Sequence, residues 1–536
     1  MISNFIPEGV EDLNYEQYER ITAIENSILD VFRASGFRQI KTPTFEYFDL
    51  FDDEGTAVST EDMYKIVDNG GHLMVLKPDA TIPIARMVAT HYKEASGEIK
   101  LMYNTNVYRS MDFRAGGKRE FRQAGIEYFG VSSYENDAEI ISIAIRALKE
   151  TGFHDLKTEL GNAEYFNGLL DALTVEGIRD AETQETLRTM VEAKRIPAID
   201  QFCEEKNLSA RSRLVLRELP FLYGSVEEVA AKAADLALND RMKNAVDSII
   251  RIAAALGDES VSADMGIVSR LEYYSGMIFR IYLRNSGVMV GSGGRYDSLM
   301  TRFGKHIPAA GFGLNIDLLY EADQAETGDP EVLNIALGKG RLADLTMERL
   351  AEVGIVFPDY SKKSRKLIFE DSTGKYRIIF VKAVDVGIYV EKGACDVGVI
   401  GRDTLLESAS DVFEIIDLQY GKCIFAVAAP KGFRYDRKKK LRVATKYPRV
   451  AKDYFAQYGR SIEIIKINGS VELAPLVGLS DVIVDIVETG NTLRENGLEV
   501  VEPITDISAR FIVNRASMKT KENPVSELMN LLKERK

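Results

Sequence analysis

The chain reads as a multidomain protein in which an α+β region is followed by an α/β region, and three observations carry that reading. At 536 residues it exceeds what one hydrophobic core supports, so two or more domains are expected. A helical stretch of about 162–256, rich in Ala, Glu, Leu and Arg with apolar residues three and four apart, separates two sets of strand-like runs. After residue 332, short Val/Ile-rich runs alternate with helical stretches, the pattern of parallel α/β sheets that hold ligands at their strand ends.

Along the first region, residues 100–103 read as a strand. A segment opening at Arg109 and ending at 119–130 alternates as two antiparallel strands would, around a loop at 114–118. Residues 277–283 form a further apolar run. Residues 321–331 are polar, acidic and closed by Gly-Asp-Pro, the composition of a linker, which sets domains at 1–320 and 332–536. Strands are then expected at 332–337, 377–381, 397–400, 424–429, 441–444 and 482–487.

Composition narrows the function classes. A formal net charge of −14 argues against broad nucleic-acid binding, which rewards a basic face. It leaves room for an anionic small molecule held by backbone amides and a few cations. Hydrophobic residues at 45% and charged residues at 28% are ordinary for a soluble globular chain, and no apolar run is long enough to span a membrane. Residues 1–8 have neither the basic start nor the apolar stretch of a secretory signal. Cys203, Cys395 and Cys423 form no CxxC pair, so a reduced, cytoplasmic compartment is expected. The histidines His72, His91, His154 and His306 are scattered, and no transition-metal site is expected.

The sharpest local feature runs from Asp481 to Leu493. A buried strand passes into Glu488-Thr489-Gly490-Asn491-Thr492 and then a helix. Gly490 permits a tight turn and close backbone approach. Thr489, Asn491 and Thr492 offer donors near a helix start, which favours a phosphate. Asp485 and Glu488 can hold ribose hydroxyls or a hydrated magnesium ion. The same residues also suit a turn that merely caps a helix. Further glycine-punctuated segments fall at strand ends: 337–342, with Lys339 and Arg341, and 396–405, with Asp403. The segments 444–448 and 468–475 follow, the latter containing Glu472.

In that order and spacing, residues 332–536 resemble the catalytic subunit of ATP phosphoribosyltransferase. The resemblance implies two α/β lobes of the type II periplasmic-binding-protein kind with an active site in the cleft. It makes 485–492 the loop for phosphoribosyl pyrophosphate (PRPP) and gives Glu472 a place beside the sugar or metal. Lys339, Arg341 and Lys382 become candidates for charge stabilisation, with Arg365 a weaker one. Magnesium is expected to arrive with the substrate, with Asp485 and Glu472 as its nearest protein oxygens. Gly338 and Gly387 stand where the family usually has proline, and Lys382 where it has arginine; lysine keeps the charge but loses the planar fork. The chain ends without the added C-terminal domain of the long enzyme form and so resembles the short form.

In the first half, Asp79, Thr81, Gln123 and Glu127 make a polar set suited to an amino acid, with Tyr273 and Tyr274 as walls; they also suit ordinary strands and turns. Residues 77–81, 109–130 and 272–274 resemble the histidine-binding elements of histidyl-tRNA synthetase, a class II synthetase fold, which adds Arg109 to the pocket. Its chemistry is incomplete. Ser269 stands at the catalytic arginine position with Arg270 displaced by one, Met111 and Asp112 replace the usual Glu and Arg, and 317–319 read Asp-Leu-Leu where Glu-Arg-Leu is usual. No anticodon-binding domain follows. The whole chain therefore resembles a fusion of the regulatory and catalytic subunits of ATP phosphoribosyltransferase. That implies ATP and PRPP as substrates, histidine as inhibitor, a homo-oligomer through the synthetase-like part, and no nucleic-acid or membrane partner. The rival classes are an active synthetase, disfavoured by the lost arginines, and a solute-binding module, disfavoured by the Glu-Thr-Gly-Asn-Thr loop. A first half that acts as scaffold alone is the third.

Overall fold

Side-chain caps set the start of several helices between Tyr15 and Leu256. Asn14 opens the helix Tyr15–Ala34 with a capping box: it accepts from the Gln17 amide at 2.9 Å while Gln17 Oε1 accepts from the Asn14 amide at 3.0 Å. Ile21, Ile24, Ile28 and Phe32, three and four apart, then turn one face of that helix inward. A computed structural model describes residues 6–51, 58–92, 97–110, 118–258, 260–268, 274–283, 288–324, 332–362, 364–436 and 439–533. It divides into two compact units, Met1–Gly328 and Asp329–Lys536.

The first unit is built on a nine-stranded, mostly antiparallel sheet. Its order is Arg38–Gln39, Ile99–Tyr108, Glu120–Phe129, Ala309–Asn315, Val288–Arg295, Met277–Leu283, Leu156–Asn162, Val261–Asp264 and Tyr223–Gly224. The two long strands Ile99–Tyr108 and Glu120–Phe129 pair antiparallel, so the expected hairpin needs correction at its first strand, which ends at Tyr108, before the Arg109 where the expectation opened it. Residues 111–117 lie outside the described residues, among them Met111, Asp112 and most of the loop expected at 114–118. Side-chain parity splits the sheet into two faces. Ala124, Ile126 and Tyr128 join Ile28 and Phe32 in one core, whereas Phe129 joins Tyr103, Ile84 and Ala309 in another.

Helices fill most of the chain between Asn162 and Leu256. Asn162 accepts from the Glu164 amide at 3.0 Å and starts the helix Ala163–Val175; Gly257, at φ +58°, stops the helix Asp240–Leu256. One short strand interrupts them. Tyr223–Gly224 pairs antiparallel with Val261–Asp264, and two residues are too few to break a helical periodicity read from sequence.

The second unit holds two sheets. One has the order Ile368–Glu370, Tyr376–Val381, Leu333–Gly338, Val397–Gly401, Ala509–Val513 and Phe413–Asp417; the other has Ile462–Lys466, Leu441–Thr445, Val482–Val487, Cys423–Pro430 and Leu498–Ile507. The expectation of parallel sheets needs correction, because both are mixed. Parallel pairing is confined to Leu333–Gly338 with its two neighbours and to Leu441–Thr445 with its two neighbours. The remaining pairs are antiparallel. The cause is connectivity: the chain crosses between the sheets twice, from Phe413–Asp417 to Cys423–Pro430 and from Leu498–Ile507 to Ala509–Val513. An outgoing and a returning strand must run in opposite senses. Their buried apolar runs look the same in sequence as parallel ones. Among the described residues no helix is long and apolar enough to cross a membrane.

Candidate functional site

In the second unit the parallel strands of both sheets end toward one another. Leu333–Gly338 passes through Lys339 and Gly340, at φ +131°, into the helix Arg341–Glu352. The Lys339 amide donates to the Val381 carbonyl at 3.1 Å, which sets Lys339 and Lys382 at the same sheet end. Arg365 precedes the strand Ile368–Glu370, which runs antiparallel to Tyr376–Val381, so it falls at that end too. All three of these cations are exposed. The departures at the proline positions have a steric setting. A Cβ on Gly338 would lie 2.6 Å from Ala383 Cα, and one on Gly387 would meet the Ser410 hydroxyl.

Side-chain contacts join the lobes at these ends. Arg341 Nη1 donates to Glu488 Oε1 at 2.8 Å and Oε2 at 2.9 Å, and this hydrogen bond, followed by the carboxylate's charge, raises the Arg341 pKa. The Tyr447 hydroxyl donates to Asp403 Oδ2 at 3.1 Å. Between them, Asp485 sits in the strand Val482–Val487. Burial pushes its carboxyl above the ordinary range; Glu472 and Asp403 push the same way, while the Ile486 amide and Lys446 oppose.

The loop after this strand turns through Gly490, which adopts a left-handed φ of +71°. The helix it opens, Asn491–Glu495, is only five residues long. Arg494 braces the turn: its Nη2 donates to the Thr489 carbonyl at 3.2 Å and to Asn491 Oδ1. Thr489, Asn491 and Thr492 are exposed. A cavity of about 740 Å³ lies against the loop, lined by Glu488, Thr489, Gly490, Lys422, Cys423 and Arg494. The sequence reading missed Tyr447, Lys446 and Arg494. Tyr447 and Lys446 lie in the segment 444–448, whose local pattern points to no role.

The oxygen donors suit a magnesium ion that arrives on phosphates. Such an ion keeps most of its shell from water and phosphate and needs one or two protein carboxylates. Asp485 and Glu472 offer that much. Among the described residues no group of three His, Cys, Asp or Glu forms a complete metal-holding set.

In the first unit, Glu127 lies at 1% exposure on the sheet face that also carries Tyr103. Its Oε1 accepts from the Thr81 hydroxyl at 2.7 Å and its Oε2 from the Tyr296 hydroxyl. Burial pushes its carboxyl well above the usual carboxylate range; the Thr81 bond opposes and Asp79 adds to the rise. Asp79 is also pushed up by burial, with the Ile82 amide and Arg109 pulling it down. Its Oδ1 accepts from the Ile82 amide at 3.1 Å, and its buried Oδ2 has no hydrogen-bond partner among the described residues.

Glycines make the space. A Cβ on Gly311 would strike Glu127, one on Gly313 would strike Gln123, and one on Gly294 would come within 2.6 Å of the Tyr274 ring. Arg109 donates from Nε to the Pro78 carbonyl at 3.1 Å, one residue from Asp79. Asp79, Thr81, Arg109, Gln123, Glu127 and Tyr274 thus belong to one neighbourhood. Tyr273 lies outside the described residues, as do Ser269, Arg270 and Glu272. At the late motif, buried Asp317 accepts from the Arg122 amide at 2.6 Å and pairs with its guanidinium, while Leu318 brings no charge.

A family model described as histidyl-tRNA synthetase matches residues 9–319, and one described as ATP phosphoribosyltransferase matches residues 382–534. The ATP phosphoribosyltransferase regulatory subunit of Alkaliphilus metalliredigens is 34% identical over 364 residues, covering 66% of this chain and 91% of that protein. The ATP phosphoribosyltransferase of Oceanobacillus iheyensis is 50% identical over 200 residues, 37% of this chain and 96% of that protein. Among solved structures, an ATP phosphoribosyltransferase regulatory subunit/histidyl-tRNA synthetase from Bacillus halodurans C is similar at a TM-score of 0.56 and 28% identity. It covers 71% of this chain and 93% of its own.

Proposed function

From the premise that the chain belongs to the ATP phosphoribosyltransferase family, with a part of the histidyl-tRNA synthetase family fused before its catalytic part, we propose how its two sites divide the work. The chain is an ATP phosphoribosyltransferase: it condenses ATP with PRPP to phosphoribosyl-ATP and pyrophosphate, the first step of histidine biosynthesis. The cleft of the second unit carries the reaction, and the pocket around Glu127 and Asp79 binds histidine and lowers the rate.

The observation that carries the catalytic reading is the meeting of the Glu488–Thr492 turn with the Lys339, Arg341 and Lys382 strand ends. A ring nitrogen of adenine attacks the anomeric carbon, and pyrophosphate leaves with its electron pair. Negative charge grows on the leaving group, so cations aimed at it stabilise the transition state more than the ground state. Lys339, Arg341 and Lys382 supply that charge, with Arg365 behind them. Thr489, Gly490, Asn491 and Thr492 hold the phosphate. Asp485, Glu488, Asp403 and Glu472 face the ribose. Asp485 and Glu472 would hold a magnesium ion carried in by the substrate, which would there supply neutralising charge to the pyrophosphate. No covalent nucleophile is required. The lobes belong to the type II periplasmic-binding-protein kind, and the chain works in the cytoplasm as a homo-oligomer through its synthetase-like part.

The sensing reading is supported by two buried carboxyl groups in a glycine-walled pocket. An amino acid's ammonium or imidazole would meet the charge that Asp79 and Glu127 can carry. Histidine lowers the rate by binding one arrangement of the assembly more tightly than another. The test is to incubate the chain with ATP, PRPP and magnesium, follow pyrophosphate, and repeat with histidine. Release that histidine suppresses is the expected result. No release under any condition would sink the enzyme, and release indifferent to histidine would leave the first unit a scaffold.

A further inference from the structure

The segment Thr445-Lys446-Tyr447-Pro448 is built to deliver one hydroxyl across the cleft. Thr445 ends a strand, and its hydroxyl donates to the Val484 carbonyl of the neighbouring strand at 2.6 Å, directly before Asp485. The same oxygen accepts from the Tyr447 amide at 2.9 Å, so it fixes the turn from both sides. Pro448 then starts the helix Pro448–Ala456 with its preset φ. The Tyr447 ring is buried edge-on to Phe425, with centroids 4.8 Å apart. Burial holds its phenol far above the ordinary range, which keeps it a donor.

The hydroxyl meets Asp403 of the other lobe at 3.1 Å. A Cβ on Gly401 would strike the other oxygen of that carboxylate, so Gly401 gives Asp403 room to fold back to this position. Asp403 and Glu407 share one face of the helix Arg402–Ser408. Glu407 accepts from the Arg449 amide at 2.9 Å and the Val450 amide at 3.2 Å, in the first turn of the helix that Tyr447 precedes. Two pins, from residues four apart on the helix Arg402–Ser408, therefore hold it against the start of the helix Pro448–Ala456 across the lobes.

We propose that Tyr447 is a positioning residue of the transfer reaction, holding the Asp403 carboxylate across the cleft where the phosphoribosyl donor binds. This rests on the transferase reading of the same site. Tyr447→Phe removes the hydroxyl and keeps the ring on Phe425. The test compares wild type, Tyr447→Phe, Asp403→Asn and the double variant in pyrophosphate release, all below the lowest melting transition of the four. The KM for PRPP should rise about tenfold in each single variant and no further in the double, with kcat changed by less than about threefold. A Tyr447→Phe enzyme with wild-type KM, a loss confined to kcat, or a double variant whose KM multiplies the two single losses would overturn the proposal. An inactive wild type would instead overturn the transferase reading.

Discussion

Glu127 and Asp79 of the first unit keep 1% and 7% of their surface in solvent, whereas Arg341 and Glu488 of the second keep 61% and 51% of their side chains there. The two sites thus treat charge in opposite ways. A buried carboxylate with no ion pair of its own is costly to ionise, so it takes up a proton more readily. An exposed ion pair is screened and contributes roughly 0–1 kcal/mol, so a phosphate can displace it easily. The first arrangement suits a sensor, because the arrival of a cationic ligand changes the energy of the pocket. The second suits a catalyst, whose cations must be free to turn from one another to the leaving group.

If that contrast holds, the largest effect should come from the exposed cleft, where charge matters most in the transition state. Arg341→Ala should lower kcat by about a hundredfold or more, the range for removing one group aimed at developing charge. Histidine binding to the same variant, followed by calorimetry, should keep its wild-type affinity. A variant that keeps its rate would remove Arg341 from the chemistry and leave its bond to Glu488 as a structural pin.

The next effect tests the buried site. Glu127→Gln should weaken histidine inhibition by about 10–100-fold, the worth of a hydrogen-bonded charge in a buried pocket. Inhibition that survives would place the regulatory site elsewhere. The same variant carries a pH signature. The folded value of Glu127 lies above its unfolded one, so between the two the folded unit binds more protons than the unfolded chain. Stability contributed at this position therefore falls as pH rises from the ordinary carboxylate range through the folded value, and stays lower above it. Near pH 8 the variant should melt a few degrees above the ligand-free wild type, at about 2–4 °C per kcal/mol, and near pH 4 the gap should close. A gap that widens toward acid would mean that burial does not govern this carboxyl.

The difference between the sites also explains what could be read in advance. The strand runs around 277–283, 397–400 and 482–487 were legible because their hydrophobic patterns are local. The Glu488–Thr492 turn was legible because Gly490 must adopt a positive φ there. The mixed pairing of the second unit was not, since direction depends on where the chain crosses between sheets. Nor were the bonds from Arg341 to Glu488 and from Tyr447 to Asp403, whose partners lie 147 and 44 residues apart. The glycines at 311 and 313 look like turn residues in a sequence, and only strand register reveals that they clear space for Glu127 and Gln123.

The smallest effect should come from restoring the family's arginine at Lys382. Lys382 is exposed at the end of Tyr376–Val381, directly before a turn whose Ala383 packs on Gly338. Its ammonium is a mobile point charge, able to follow phosphate oxygens as they move, and a guanidinium at the same place adds a planar fork with more donors. In a wet cleft that advantage is diluted by solvent, so Lys382→Arg should alter kcat/KM by no more than about fivefold, close to 1 kcal/mol. The counterpart in the first unit, Glu127→Asp, keeps the charge but withdraws it by one methylene from Thr81 and Tyr296, and its histidine inhibition should weaken by about tenfold or more. A conservative exchange that is costly at Lys382 and harmless at Glu127 would reverse the contrast between an adaptable exposed cleft and a fixed buried pocket.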